Sequence, residues 1–315
     1  MTTPSSTSTT TPPGPAASAS TPPPRPHAGL PATHLLLALA TVAIWGTNFV
    51  VIKWGLAELP PLAMAALRFT LAALPLVFFL PRPAIAGWRI AAFGLTVGVG
   101  QFGLLYVAMR ADISPGLASL AIQTQVFFTI GLAVLWRGER FRPAQALGLA
   151  LAVAGMAVIA LHLDAHVTAR GLGLVLLAAF SWALGNLVAQ SSGKVPALAF
   201  VAWSSLFAVP PLVGLSFAVE GVQPVLQAVR QASLGAWGVV LWQALGNALF
   251  GYGVWSWLLA RHPAASITPM ALLVPVFGMG ASALALGESL PAWKLGAAGL
   301  VMAGLALNVW AARRR

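Results

Sequence analysis

The side chains able to do chemistry inside the apolar stretches of this 315-residue chain are amides and one guanidinium. Thr41, Trp45 and Asn48 stand at helical spacing, and so do Trp182, Asn186 and Gln190, so each trio shares one helix face. Gln243 and Asn247 are four apart and share another face. Gln101, Gln123 and Gln125 interrupt two further apolar runs, and Arg68 is the one charge well inside such a run. Amides donate and accept hydrogen bonds, and a guanidinium can meet a carboxylate at two points. Covalent and metal chemistry lack their residues. Cysteine is absent, and no Asp, Glu or His stands mid-run. No His/Asp/Glu cluster has ligand spacing, and no glycine-rich phosphate loop ends in Lys-Ser or Lys-Thr. The chain reads as a non-enzyme with no cofactor, and ATP hydrolysis is discounted. A proton relay through buried acids or histidines has no groups to run on.

Those side chains need elements to hold them. Apolar residues make up 59% of the chain and charged residues 7%. A soluble domain carries about 25% charged residues, so the lipid bilayer is the expected environment. The net charge of +11 sits in short loops, which argues for topology signals and against nucleic acid. A span needs about 20 apolar residues. Ten are expected, near 35–56, 62–80, 90–109, 115–136, 144–161, 171–190, 197–219, 237–259, 264–286 and 292–312. Residues 1–31 are rich in Ser, Thr, Pro and Ala, lack an apolar run, and read as a disordered cytoplasmic tail. Pro75 and Pro210 fall at corresponding places in the second and seventh spans, and Pro269 and Pro275 interrupt the ninth.

The chain also repeats itself. Trp45-Gly46-Thr47-Asn48-Phe49-Val50 pairs with Trp182-Ala183-Leu184-Gly185-Asn186-Leu187-Val188. Gly138-Glu139-Arg140 with Pro143–Gly148 pairs with Gly287-Glu288-Ser289 with Pro291–Gly296. The domains expected are a first five-helix repeat at 35–161 and a second at 171–312. An odd number of spans per repeat turns the second copy upside down, as in transporters. Loop cations choose the orientation. Eleven lie on the side of both tails and five (Lys53, Arg110, Arg170, Arg230, Lys294) on the other, which places both termini in the cytoplasm.

The fold class expected is therefore all-α integral membrane, ten transmembrane helices as two inverted five-helix repeats. Polar groups unmatched in hydrocarbon cost several kcal/mol, on the order of 2–7 each, so the amides must face one another or a cavity. Asn and Gln also act as interhelical glue. Spread over both repeats, the set favours a central cavity that hydrogen-bonds a polar solute. Its expected walls are Asn48, Arg68, Gln101, Gln125, Trp182, Asn186, Trp203, Gln243, Asn247 and Tyr252. Arg68 can snorkel to the surface or meet a solute carboxylate.

The Trp45–Lys53 run, Pro60-Pro61 followed by Leu67-Arg68-Phe69, and the two Gly-Glu motifs resemble the EamA-type drug/metabolite transporters. Gly116-Leu117-Ala118-Ser119-Leu120, Phe127-Phe128-Thr129-Ile130, Phe180-Ser181-Trp182, Gly251-Tyr252-Gly253 and Leu272-Leu273-Val274-Pro275-Val276 are similar to its O-acetylserine/cysteine exporter subfamily. The similarity covers about residues 35–312. Ser289 departs from it, where an Arg commonly follows the Glu. The resemblance implies a multi-pass protein of the bacterial inner membrane that exports amino acids and related metabolites through a cavity between its halves. A multidrug or nucleotide-sugar carrier is the alternative within transport. It would call for intramembrane acids or several cations, which are missing. A non-transporting scaffold is the alternative outside it, and would leave the matched amides without purpose.

Overall fold

A computed structural model describes residues 30–137, 143–164 and 167–313. The tail to residue 29 and the Gly138-Glu139 motif lie outside the described residues. Among the described residues eleven helices follow one another: α1 (Ala32–Glu58), α2 (Pro61–Val77), α3 (Gly87–Ala111), α4 (Pro115–Trp136), α5 (Pro143–Ala160), α6 (Ala169–Ser191), α7 (Ala197–Glu220), α8 (Val222–Gln231), α9 (234–261), α10 (264–286) and α11 (Ala292–Arg313). Among the described residues there are no strands, only the isolated bridges of Ile113 and Asp164 to Val167.

The helices start and stop where local chemistry directs. Pro61 and Pro115 occupy first-turn positions, where a missing N–H costs nothing. Thr168 caps α6 by accepting from the Gly171 N–H, and Ser233 caps α9 by accepting from Ala236. Gly287 ends α10 at φ +66, in the left-handed region that glycine enters freely. Among the described residues eight helices are long and apolar enough to cross a membrane: α1, α3 to α7, the 268–286 part of α10, and α11. α2 has 17 residues, and α9, with Gln243, Asn247 and five glycines, is not among the eight. The short α8 has no counterpart in the first half, where residues 78–86 carry no helix.

Exchanging the halves preserves the main helix pairings. Counterpart helices meet directly in α2–α7, α4–α10 and α5–α11. The contact of α1 with α10 is mirrored by α6 with α4, that of α3 with α6 by α9 with α1, and that of α3 with α7 by α9 with α2. Small residues allow the close approaches. A Cβ added to Gly304 would lie 2.4 Å from the Gly148 carbonyl oxygen, so only glycine lets α5 and α11 meet there. Trp54, Trp88 and Trp136 are exposed at helix ends, as an interfacial belt requires.

Four irregular windings are also paired, while the π-wound Ser216–Glu220 at the end of α7 has no partner in α2. Gly94–Gly103 in α3 and Trp242–Phe250 in α9 are wound as π-helix, and Ile122–Thr124 in α4 and Thr268–Leu273 in α10 as 3-10 helix. Pro269 accounts for part of the last, because it removes a helix donor. Such departures leave the i→i−4 ladder and concentrate at functional sites.

Candidate functional site

Arg68 turns into the protein and is 1% exposed. Its Nη1 donates to the Tyr106 hydroxyl at 3.0 Å, and that hydroxyl donates to Gln243 Oε1 at 3.0 Å. The chain of bonds joins α2 and α3 of the first half to α9 of the second. The guanidinium carbon lies 3.9 Å from the Phe102 ring centre and 4.8 Å from that of Phe69. Aromatic faces stabilise a cation, by about 2 kcal/mol when desolvated. That is well short of the several kcal/mol a buried ion loses with its water. Among the described residues no carboxylate pairs with Arg68. Its Nε and Gln243 Nε2 have no hydrogen-bond partner. The centre therefore holds a positive charge and two unused donors.

A cavity adjoins the guanidinium, lined by Arg68, Phe102, Ser204, Ser205, Ala248 and Tyr252. The π-wound segments of α3 and α9 both contribute to it. Its volume is about 20 Å³, room for about one water. Ligand pockets begin near 300 Å³, so a solute enters only when the helices around it separate. Gly94 and Gly98 set how closely α3 presses on α7 here. A Cβ on Gly94 would lie 2.1 Å from the Ser204 carbonyl oxygen, and one on Gly98 2.3 Å from the Ala208 Cβ.

The other expected residues divide. Asn186 Nδ2 donates to Gln125 Oε1 at 2.8 Å and to Thr129 Oγ1 at 3.2 Å, forming a second polar centre between α6 and α4. Among the described residues no hydrogen bond links this centre to Arg68. Trp45 Nε1 donates to the Asn247 carbonyl at 3.2 Å, and its ring lies 5.5 Å from that of Tyr252. Asn48 and Gln101 are buried, with Oδ1 and Oε1 unpartnered. Trp182 packs on the core. Trp203 stands apart, its Nε1 donating to the Leu80 carbonyl at 3.1 Å beyond the end of α2.

Sequence reasoning missed Tyr106, Ser204, Ser205 and Thr129. A signal existed for the first. The chain has two tyrosines, and a phenol in an apolar run needs a partner for its hydroxyl. Both lie at Arg68. A larger cleft of about 450 Å³ lies elsewhere, between α4, α5 and α6, and has an apolar lining that includes Phe128, Leu135, Val153 and Phe180. Leu135 and Val153 are 80% and 58% exposed, so this hollow faces outward from the bundle. Among the described residues no group of three or more His, Cys, Asp or Glu could hold a metal.

An all-helical bundle of two exchangeable halves, polar at its centre and apolar outside, is a membrane transporter architecture. The EamA-like transporter family matches the chain twice, at residues 32–161 and 169–310, and the chain belongs to that family. It is 39% identical over 285 residues to the "Probable amino-acid metabolite efflux pump" of Salmonella typhimurium, covering 89% of this chain and 95% of that one. It is 38% identical over 287 residues to the protein of the same name in Escherichia coli K12, covering 89% and 96%. A solved crystal structure has the same fold, with a TM-score of 0.61 at 18% identity, covering 90% of this chain and 97% of that one. The protein is a multi-pass inner-membrane transporter of the efflux type.

Proposed function

We propose that the protein exports zwitterionic amino-acid metabolites, cysteine and O-acetylserine among them, by alternating access. In this reading ten helices span the membrane as two inverted five-helix repeats, 35–161 and 171–312, with both termini cytoplasmic. The observation that carries it is Arg68: a buried cation with no acid beside it, next to a cavity formed by both halves. A substrate carboxylate would complete its pairing. Tyr106 and Gln243 would hold the guanidinium in place, and Ser204, Ser205 and Tyr252 would offer hydroxyls to the substrate. Asn48, Gln101, Trp182 and Asn247 would line the path, and the Gln125–Asn186 pair would form a second polar step along it. Trp203 would steady the end of α2. Uniport fits this set of residues better than proton antiport, because the acids among the described residues sit at helix ends and in loops.

The test is efflux of preloaded labelled amino acids from proteoliposomes, with and without an imposed pH gradient. A hydrogen bond to a charged group contributes about 1.5–3 kcal/mol. Arg68→Gln should therefore slow efflux at low substrate by about 10- to 100-fold, and Arg68→Lys should slow it less. Unchanged efflux by a folded Arg68→Gln protein would sink the carboxylate assignment. Efflux that follows the proton gradient at a fixed substrate gradient would sink uniport.

A further inference from the structure

Four acids at one end of the bundle each reach from one half to the start of a helix in the other. Glu58, at the end of α1, accepts from the Ser233 N–H at 2.8 Å and the Ser233 hydroxyl at 2.7 Å, where α9 begins. Glu220, at the end of α7, accepts from the N–H groups of Leu62 and Ala63 at 2.6 and 3.1 Å, where α2 begins. Asp112, after α3, accepts from the Thr168 hydroxyl at 3.0 Å, where α6 begins. Glu288, after α10, accepts from the Ser114 hydroxyl at 2.5 Å and the Gly116 N–H at 3.0 Å, where α4 begins. Arg110 ties the end of α3 to that of α1, beside two of these acids, by donating to the Leu56 and Leu59 carbonyls. The direction of crossing alternates. Two acids come from the first half and two from the second.

We infer that these four carboxylates are the gate that closes this end of the transporter. The inference rests on the alternating-access reading above. A helix start carries unsatisfied N–H groups and a partial positive charge, which an anion satisfies. Here each anion belongs to the half that must move away. Separating the halves at this end takes the carboxylate from four helix starts at once and leaves the N–H groups of Leu62, Ala63 and Gly116 without it, while Thr168 and Ser233 keep their own caps. Two acids also meet cations: Lys294 at 3.0 Å from Glu288 and Arg170 at 3.5 Å from Asp112. Glu58 and Glu220 are held by neutral donors, with Ser216 adding a bond to Glu220 at 2.7 Å. Lys53 is occupied by the Met109 and Arg110 carbonyls. By the loop-charge rule this is the outer end.

The chain has no cysteine, so one introduced thiol reports on access alone. Ser205→Cys places it at the central cavity, and a membrane-impermeant maleimide applied from the carboxylate end reads the gate. The expected result is slow labelling that becomes about tenfold faster when Glu220→Gln and Glu288→Gln are added, from the loss of two caps. Labelling from the opposite end should stay equal or fall. Ser114→Ala leaves every carboxylate in place and should give a smaller rise, which keeps the test open if the double variant does not fold. Unchanged labelling in folded variants would overturn the gate, and so would an equal rise from both ends. The assay uses no substrate. A labelling response without amino-acid efflux would overturn the substrate reading and leave the gate standing.

Discussion

The two ends of the bundle solve the same problem differently. At the carboxylate end, helix starts receive charged acceptors from the opposite half, and three of the residues that precede them, Ser114, Thr168 and Ser233, are good capping types. At the opposite end the residues before α1, α3 and α7 are Pro31, Ala86 and Pro196, with no side-chain cap. The halves meet there through Arg89 Nη1 to the Ser191 carbonyl at 2.7 Å and a His34–His262 ring nitrogen contact at 2.6 Å, with Trp203 on the Leu80 carbonyl. None of these three contacts involves a carboxylate. Of these, Arg89 alone brings a charge to a helix end, whereas four helix starts at the other end meet an anion, so among the described residues charged cohesion between the halves is concentrated at one end. A carrier with one firm end and one looser end rests with the looser end the easier to open.

The sharpest way to break this contrast is to remove Glu288. Its Oε2 also takes the Ser282 hydroxyl, and it holds Lys294, whose side chain is 7% exposed. Glu288→Ala leaves that ammonium unpaired and should cost about 3 kcal/mol. Unfolding in detergent measures it, and a protein as stable as the parent would erase the difference between the ends.

Acid should act on the same carboxylate. Burial raises the Glu288 affinity for a proton, but bonds from Ser114, Ser282, Lys294 and Gly116 outweigh it and hold the pKa below the ordinary value. A depressed folded pKa contributes stability above the unfolded value and loses it as pH falls through the folded one. Glu288 should therefore keep its contribution from neutral pH down to the usual carboxylate range, about 4, and lose it below. A pH series of melting temperatures checks this, with Glu288→Gln as the reference that lacks the effect. A stability difference between the two proteins that disappears by pH 6 would contradict it.

The smallest effect compares one cap from each end. Glu220→Ala should cost about 1 kcal/mol, and Arg89→Ala, whose bond is exposed, about half of that. Equal losses would mean that the charge on the acceptor is immaterial.

Much of this is legible in the order of the residues. Arg68 stands out because a cation inside an apolar run is conspicuous by type alone. The matched amides mark the two halves for the same reason. Tyr106 and Ser204 do not stand out, because a tyrosine or serine among apolar residues is ordinary until a guanidinium or a cavity lies beside it. Their spread over both repeats groups Gln125 and Asn186 with Arg68 in one expected cavity. A shared face fixes direction on one helix, and only the packing of α4 on α6 puts those two against each other. As letters, Glu58, Asp112, Glu220 and Glu288 stand at the ends of apolar runs. Their position is visible, and their partners, 56 to 175 residues away, are not.

The sequence alone determined what depends on neighbours along the chain. Apolar runs without charge can only be helices in lipid, since every backbone donor and acceptor must be satisfied within the run. Repeated motifs and alternating loop charge followed from the same letters. The tertiary structure decided what depends on neighbours across the chain: that Arg68 reaches Tyr106 and Gln243 and not the surface, that two segments unwind into π-helix beside it, and that each acid serves a helix of the other half. Those outcomes turn on a few ångströms of helix packing, a distance that no local pattern encodes.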